Sequence, residues 1–514
     1  MGLQGFDIAL FLAFFAVVIG VSMYKSRREK TGEDFFLASR GLIWPLIGFS
    51  LIAANISTEH FVGMSGQGAG VMGMAVASYE WIAAITLVVV AVVFLPKFLR
   101  SGIYTIPEYL EYRYNSTARG IMAFYMIVIY IAVSISAVVY TGGLTLHTIF
   151  DMDLIQAIWL IGIIAAIYTT WGGLKAVAWA DLFQGSALIL GGLLTMILGF
   201  RAVGGVSAFF QANEAKLHMV LSPDHSVIPW TALIVGIWIP NFYYWGLNQF
   251  ITQRALASKS LKHGQLGVIF AAFIKLTIPF IIIFPGIMAY QLYRVELTAP
   301  GATTDAAYPL IIRNLITPGL RGFIFAAIAG AVISTLGSML NSVSTLLTID
   351  LYKRHWKKDT SGESLVKIGR IATLAFVVIV CLIAPQLGNP KFKGIFNYIQ
   401  EFQGYISPGI LAAFLFGIIF KRAPSAAGIA SLILSVPVYG FLQWQFGHIA
   451  FLNRMAITFG ILIIVMALIT FLRPLREPKV MPVKEDFDMK PTPLVLWLGM
   501  LVIALTVGLY ILFW

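Results

Sequence analysis

Two stretches of this chain place polar residues where the surrounding sequence is apolar. The first reads Ser50-Leu-Ile-Ala-Ala-Asn55-Ile-Ser-Thr-Glu59-His60-Phe-Val-Gly63; the second runs from Pro240-Asn241 through Tyr243-Tyr244-Trp245-Gly246 to Asn248-Gln249. Three further polar residues stand in similar settings: Glu80 in Ser78-Tyr79-Glu80-Trp81, Lys275 in the apolar run Phe270 to Phe284, and Gln400 beside Glu401. Charge in an apolar run is costly, which makes it the first place to look for function. Lys275 becomes tolerable beside a carboxylate such as Glu80. With Asn241 and Gln400 the pair offers fixed donors and acceptors of the kind a polyhydroxyl ligand needs. The faces of Tyr79, Tyr244, Trp245 and Phe396 suit the C–H patches of a sugar ring. A structural Lys275–Glu80 ion pair in an aromatic core accounts for the same residues, and both readings stay open at this point.

A second chemistry is suggested by Ser334 and Thr335, adjacent hydroxyls in another apolar run. Such hydroxyls often bond their own helix backbone. They could equally join carbonyls freed at a break near Asn55 to form an uncharged oxygen cage. That donor set suits a monovalent hard cation better than Ca²⁺, which recruits carboxylates.

The elements that position these groups follow from composition. The 514 residues are 59% hydrophobic and 11% charged, against roughly 45–50% and about 25% in soluble domains. Apolar runs predict fourteen spans starting near residues 6, 44, 74, 118, 154, 177, 228, 264, 320, 366, 393, 423, 450 and 492. The expectation is an all-α polytopic membrane protein, one transmembrane domain over 1–514, embedded in a lipid bilayer and without a soluble enzyme module. Cys381, the one cysteine, excludes a disulfide framework and a thiolate zinc site. The seven histidines show no HExxH-like spacing, so no enzyme is expected. Most Lys and Arg fall in alternate loops, among them Lys97, Arg100, Arg254, Lys259, Lys353 to Lys358 and Arg473 to Lys490. The net charge of +12 therefore reports topology in a cell (inner) membrane, with both termini outside the cytoplasm, rather than nucleic-acid binding. Phe6 to Met23 reads as a retained span, not a cleaved signal.

Pro240 and the polar patch near Asn55 mark two candidate broken helices. Each opens one half of a five-plus-five arrangement, the signature of an inverted-repeat core. Its halves are expected at about 44–203 and 228–420, with peripheral helices at 6–24, 423–472 and 492–513. A packing kink is the competing explanation for either break alone.

The stretches SLIAANISTEHFVGMSG, ASYEWIAAITL, SGIYTIPEYLEYRYN, WGGLKAVAWADLFQ, NFYYWGLNQFITQRALA, SMLNSVSTLLTIDLY and IQEFQGYISPGILA resemble the sodium/solute symporter family over nearly the whole chain. The likeness is greatest to its sodium/sugar branch, bacterial sodium/galactose members above all. The resemblance implies Na⁺ as coupling ion, held by the carbonyls of Ala53, Ile56 and Ala331 and the hydroxyls of Ser334 and Thr335. It implies a sugar on His60, Glu80, Asn241, Lys275 and Gln400, with Tyr244 under the ring as an inner gate. Met64, Tyr79 and Phe396 would close the outer side, and Asn55, Tyr130 and Asp181 would support Tyr244 or the sodium path. Galactose members carry Gln at the position of His60, Ser at Ala83 and Asn at Ser134. Members with a second sodium site carry a hydroxyl where this chain has Gly337, so one Na⁺ per sugar is expected. Another polar solute, such as inositol, sialic acid or an amino acid, is the alternative cargo.

Overall fold

Lipid offers no partners for backbone amides, so apolar runs of this length must satisfy them within helices. The computed structural model is helical throughout and has no sheet among the described residues, which are 5–26, 40–150, 152–171, 174–317, 320–389, 394–485, 487–490 and 492–514. Among the described residues ten helical runs are long and apolar enough to cross a bilayer, and a bent pair, Ile395–Gln403 with Ser407–Ile419 at 44°, makes an eleventh. The other three expected spans are Leu154–Trp171 and the second and seventh. Length and hydropathy thus return eleven rather than fourteen, in part because a helix interrupted midway leaves halves too short to qualify.

The first span is α1 (Gly5–Ser26). The second consists of α2 (Trp44–Asn55), an extended Ile56 with ψ 101°, a wide π-helical turn over Glu59–Met64, and α3 (Ser65–Ala69). It is followed by α4 (Ser78–Val89) and, further on, α5 (Leu174–Ala202). The seventh span is α6 (Trp230–Val235), α7 (Trp238–Phe242), a π-helical turn over Tyr243–Leu247, an extended Asn248 with ψ 123°, and α8 (Gln249–Leu256). Pro240 therefore does not mark the main break. It is the third residue of α7, where an amide has no partner within its own helix, so its missing N–H costs little. The chain opens at Asn248 instead. Beyond it come α9 (Leu261–Leu297), α10 (Leu320–Thr345), α11 (Ile395–Gln403), α12 (Ser407–Ile419), α13 (Ser425–Gln445), α14 (Phe451–Leu472) and α15 (Pro493–Leu512).

The two broken spans run in opposite directions. The Leu42 amide donates to Ala257 O at 3.1 Å and the Lys259 amide to Leu42 O at 3.0 Å, so the start of one meets the end of the other. At the far end, Lys216 Nζ donates to Ala69 O at 2.9 Å and Gly70 O at 2.6 Å, capping α3 with a cation. Helices α5 and α9 pack along α2, α10 packs on α5, and α1 covers the α5–α10 pair.

Several cations counted by sequence as loop residues lie inside the bundle. Arg254 is 1% exposed on α8, and Arg113, Arg119 and Arg454 are buried as well. Each finds acceptors there: Arg113 caps α12 through Gly417 O and Phe420 O at 2.7 and 2.6 Å, and Arg454 pairs with Glu401 at 2.6 Å. A position near a span's end is legible in sequence; the direction in which its side chain points is not.

Candidate functional site

The break in the second span is a local consequence of Ser57. The amides of Glu59 and His60, which in a continuous helix would close on the carbonyls of Asn55 and Ile56, close instead on the Ser57 hydroxyl and carbonyl at 3.1 and 3.0 Å. The wide turn that follows turns Glu59, His60 and Met64 into one cavity.

That cavity lies between the two broken spans, α4 and α11. Of the residues expected at a ligand site, Asn55, His60, Met64, Tyr79, Glu80, Asn241, Tyr244, Phe396 and Gln400 line it. Glu59, Pro240 and Gln403 line it too and were not expected. Lys275 does not reach the wall. Its Nζ, fully buried, donates to Glu80 Oε2 at 2.5 Å and to Asn55 Oδ1, and lies 4.8 Å from the Trp245 ring centroid. The lysine thus holds Glu80, and the carboxylate's other oxygen, Oε1, lies 3.4 Å from His60 Nε2. Read as the neutral imidazole that donates to Glu80, His60 keeps Nδ1 as a free acceptor; this nitrogen is buried and has no hydrogen-bond partner among the described residues. The Asn241 amide donates to Ile237 O at 3.0 Å, leaving its carbonyl oxygen free to turn to the cavity.

Aromatic pairs close the cavity. Tyr79 and Phe396 meet edge to face with centroids 4.9 Å apart. Phe396 can come this close because residue 63 is glycine: a Cβ there would sit 3.2 Å from Phe396 Cβ. Tyr244 packs edge-on to Trp245 and Phe250 at 5.2 and 5.7 Å, and its hydroxyl accepts from Asn55 Nδ2 at 3.1 Å. Tyr130 bonds Asn248 at the second break and accepts the Phe250 amide at 3.3 Å.

Ala53, Ile56, Ala331, Ser334 and Thr335 are all at most 1% exposed, and Thr335 of α10 meets the end of α2 at the first break. Thr335 Oγ1 lies 3.5 and 3.4 Å from the carbonyls of Ala53 and Ala54. This oxygen set fits a monovalent cation: it is uncharged, and among the described residues no cluster of three or more His, Cys, Asp or Glu could hold a metal ion. Behind it, Ser334 and Ser50 both donate to Asp181, which is itself paired with Arg254 at 3.3 Å. Arg254 completes its bonds with Ser50 Oγ at 2.7 Å, Ser338 Oγ at 2.6 Å and the Phe250 carbonyl.

Antiparallel broken helices around a polar cavity define a secondary transporter of the inverted-repeat class. The family model described as the sodium:solute symporter family matches residues 35–434, and the chain belongs to that family. It is 41% identical to a sodium/glucose cotransporter of Vibrio parahaemolyticus over 91% of this chain and 90% of that one. It is 32% identical to the sodium/myo-inositol cotransporter 2 of Mus musculus over 84% of this chain and 68% of that one. The fold matches a solved Na⁺-coupled sialic acid symporter in a substrate-bound outward-open state, with a TM-score of 0.80 at 24% identity, covering 94% of this chain and 99% of the other. The protein is accordingly a multi-pass, sodium-coupled solute symporter and not an enzyme.

Proposed function

We propose that this symporter imports a monosaccharide, galactose or glucose, with one Na⁺ per sugar, by alternating access across the cell membrane, with both termini outside the cytoplasm. The observation that carries the reading is the polar wall of the cavity. Glu80, fixed by Lys275, stands beside a His60 with an unused acceptor, and Asn241 and Gln400 face the same space. These groups would take sugar hydroxyls, with Tyr244 under the ring and Met64, Tyr79 and Phe396 as the outer gate. Lys275 would act through Glu80 and Asn55.

Sodium would sit on the carbonyls of Ala53, Ile56 and Ala331 and the hydroxyls of Ser334 and Thr335, with Asp181 behind them. Its coordination of the first break would hold the second span in the shape that presents His60. Each ligand should then tighten the other's binding. The rocking halves are 44–203 and 228–420, with 6–24, 423–472 and 492–513 as peripheral helices. The sodium/glucose name of the Vibrio relative supports a sugar cargo. Gly337, which brings no side-chain oxygen, supports a single ion.

Equilibrium binding of labelled galactose and glucose to the purified protein in sodium, then in potassium, tests this reading. Sodium-dependent binding displaced by either sugar but not by myo-inositol or sialic acid is expected. Displacement only by another solute would discard the sugar.

A further inference from the structure

The charges around the transport cavity do not balance. Asp181 is matched by Arg254 at 3.3 Å and Glu80 by Lys275 at 2.5 Å. Glu59 lines the same cavity at 9% exposure, and among the described residues its side chain makes no ion pair or hydrogen bond. Only its amide is engaged, with Ser57 Oγ. An ionised carboxylate buried between transmembrane helices without a partner is expensive. It also stands beside the carbonyl end of α2, which carries partial negative charge of its own.

A neutral sugar can accept or donate hydrogen bonds but cannot cancel this charge, whereas a monovalent cation can. The oxygen cage at Ala53, Ile56, Ala331, Ser334 and Thr335 is uncharged, and Asp181 behind it is already spent on Arg254. Glu59 follows the cage residue Ile56 by three positions and precedes His60 by one, so it lies between the proposed ion and sugar positions on one broken helix.

We propose that Glu59 is the counter-charge of the coupling cation. When ionised, its carboxylate gives the cavity a negative charge that sodium entry neutralises. The inference rests on the sodium position given under the proposed function and adds a residue to it. Through a local dielectric constant of about 20, a unit charge about 10 Å away alters cation affinity by about tenfold or somewhat more.

The test is equilibrium binding of ²²Na⁺ at pH 8 to purified wild type, Glu59→Gln and Glu59→Asp. The Gln protein should bind sodium about tenfold more weakly. The Asp protein, which keeps the charge, should stay within about threefold of wild type. A thermal unfolding transition within a few degrees of wild type reports that Glu59→Gln is folded, and labelled galactose binding at saturating sodium is measured beside it. Should Glu59→Gln not fold, Glu59→Ala carries the same expected loss. Unchanged sodium affinity in the charge-free protein overturns the proposal, and so does a lost sugar affinity with sodium affinity intact, which would make Glu59 a hydroxyl acceptor. A wild type that binds no sodium would instead remove the sodium position itself, a separate failure.

Discussion

Asn55 and Tyr244 join the two broken spans directly: the Asn55 amide donates to the Tyr244 hydroxyl at 3.1 Å. Asn55 is the last residue of α2 and Tyr244 lies four positions before the extended Asn248, so the bond ties one break to the other. Asn55 is fixed in turn by Lys275, which also holds Glu80. The side chain beneath the cavity and the carboxylate in its wall therefore share one anchor.

Removing that tie should loosen the inner side without removing the ring. A typical hydrogen bond contributes about 0.5–1.5 kcal/mol, so Tyr244→Phe should release bound sugar roughly two- to tenfold faster. Dissociation of labelled galactose from the purified protein in sodium measures this. An unchanged rate would mean that the bond does not hold the gate.

Arg254 and Asp181 form a buried pair that cannot be broken cheaply. Arg254→Met leaves the carboxylate without its counter-ion, at a cost of about 3–5 kcal/mol. The thermal midpoint of the detergent-solubilised protein should fall sharply, and Asp181→Asn in the same chain should restore part of it. If the double variant melts no higher than the single one, the charge pair is not what Arg254 supplies.

Asp305 connects pH to the end of α11 that bears Phe396. Its Oδ2 accepts the Ile395 amide at 3.1 Å, its own amide donates to Thr303 Oγ1 at 3.2 Å, and Oδ1 has no partner among the described residues. Burial pushes the carboxyl up to about 6, from about 3.9 in an open chain. An acid that ionises less readily when folded destabilises the fold as it ionises, so stability should fall as pH rises from about 4 to about 6, then level off. Asp305→Asn removes the charge at constant shape. Its melting midpoint, relative to wild type, should rise by several degrees between pH 4.5 and 7; parallel curves would contradict the assignment.

Much of this site could be read from the chain before its fold was known. Polar residues at 55–60 and 240–249 in apolar surroundings disclosed both interrupted spans, and the adjacent hydroxyls at 334 and 335 lie on the helix that passes the first break. Orientation was not legible. A π-helical turn over Glu59–Met64 shifts the helix register, so Glu59 and His60 both line the cavity although neighbours on a regular helix point about 100° apart. Spacing alone could not show that Lys275 lies behind the wall. Arg254 looked like a loop cation because it ends a run of polar residues, and its burial depends on acceptors from α2, α5 and α10 that are distant in sequence. Two features could have signalled more: an unpaired carboxylate beside His60, and a glutamine three positions after Gln400.

The central claim is tested most directly in proteoliposomes, by measuring labelled galactose and glucose uptake together with charge movement under an imposed inward sodium gradient. The account predicts accumulation of at least one of the two sugars that disappears when potassium replaces sodium, with one charge entering per sugar. Uptake of neither sugar, with sodium-driven uptake of some other solute, would contradict the proposed cargo, and two charges per sugar would contradict the single sodium site.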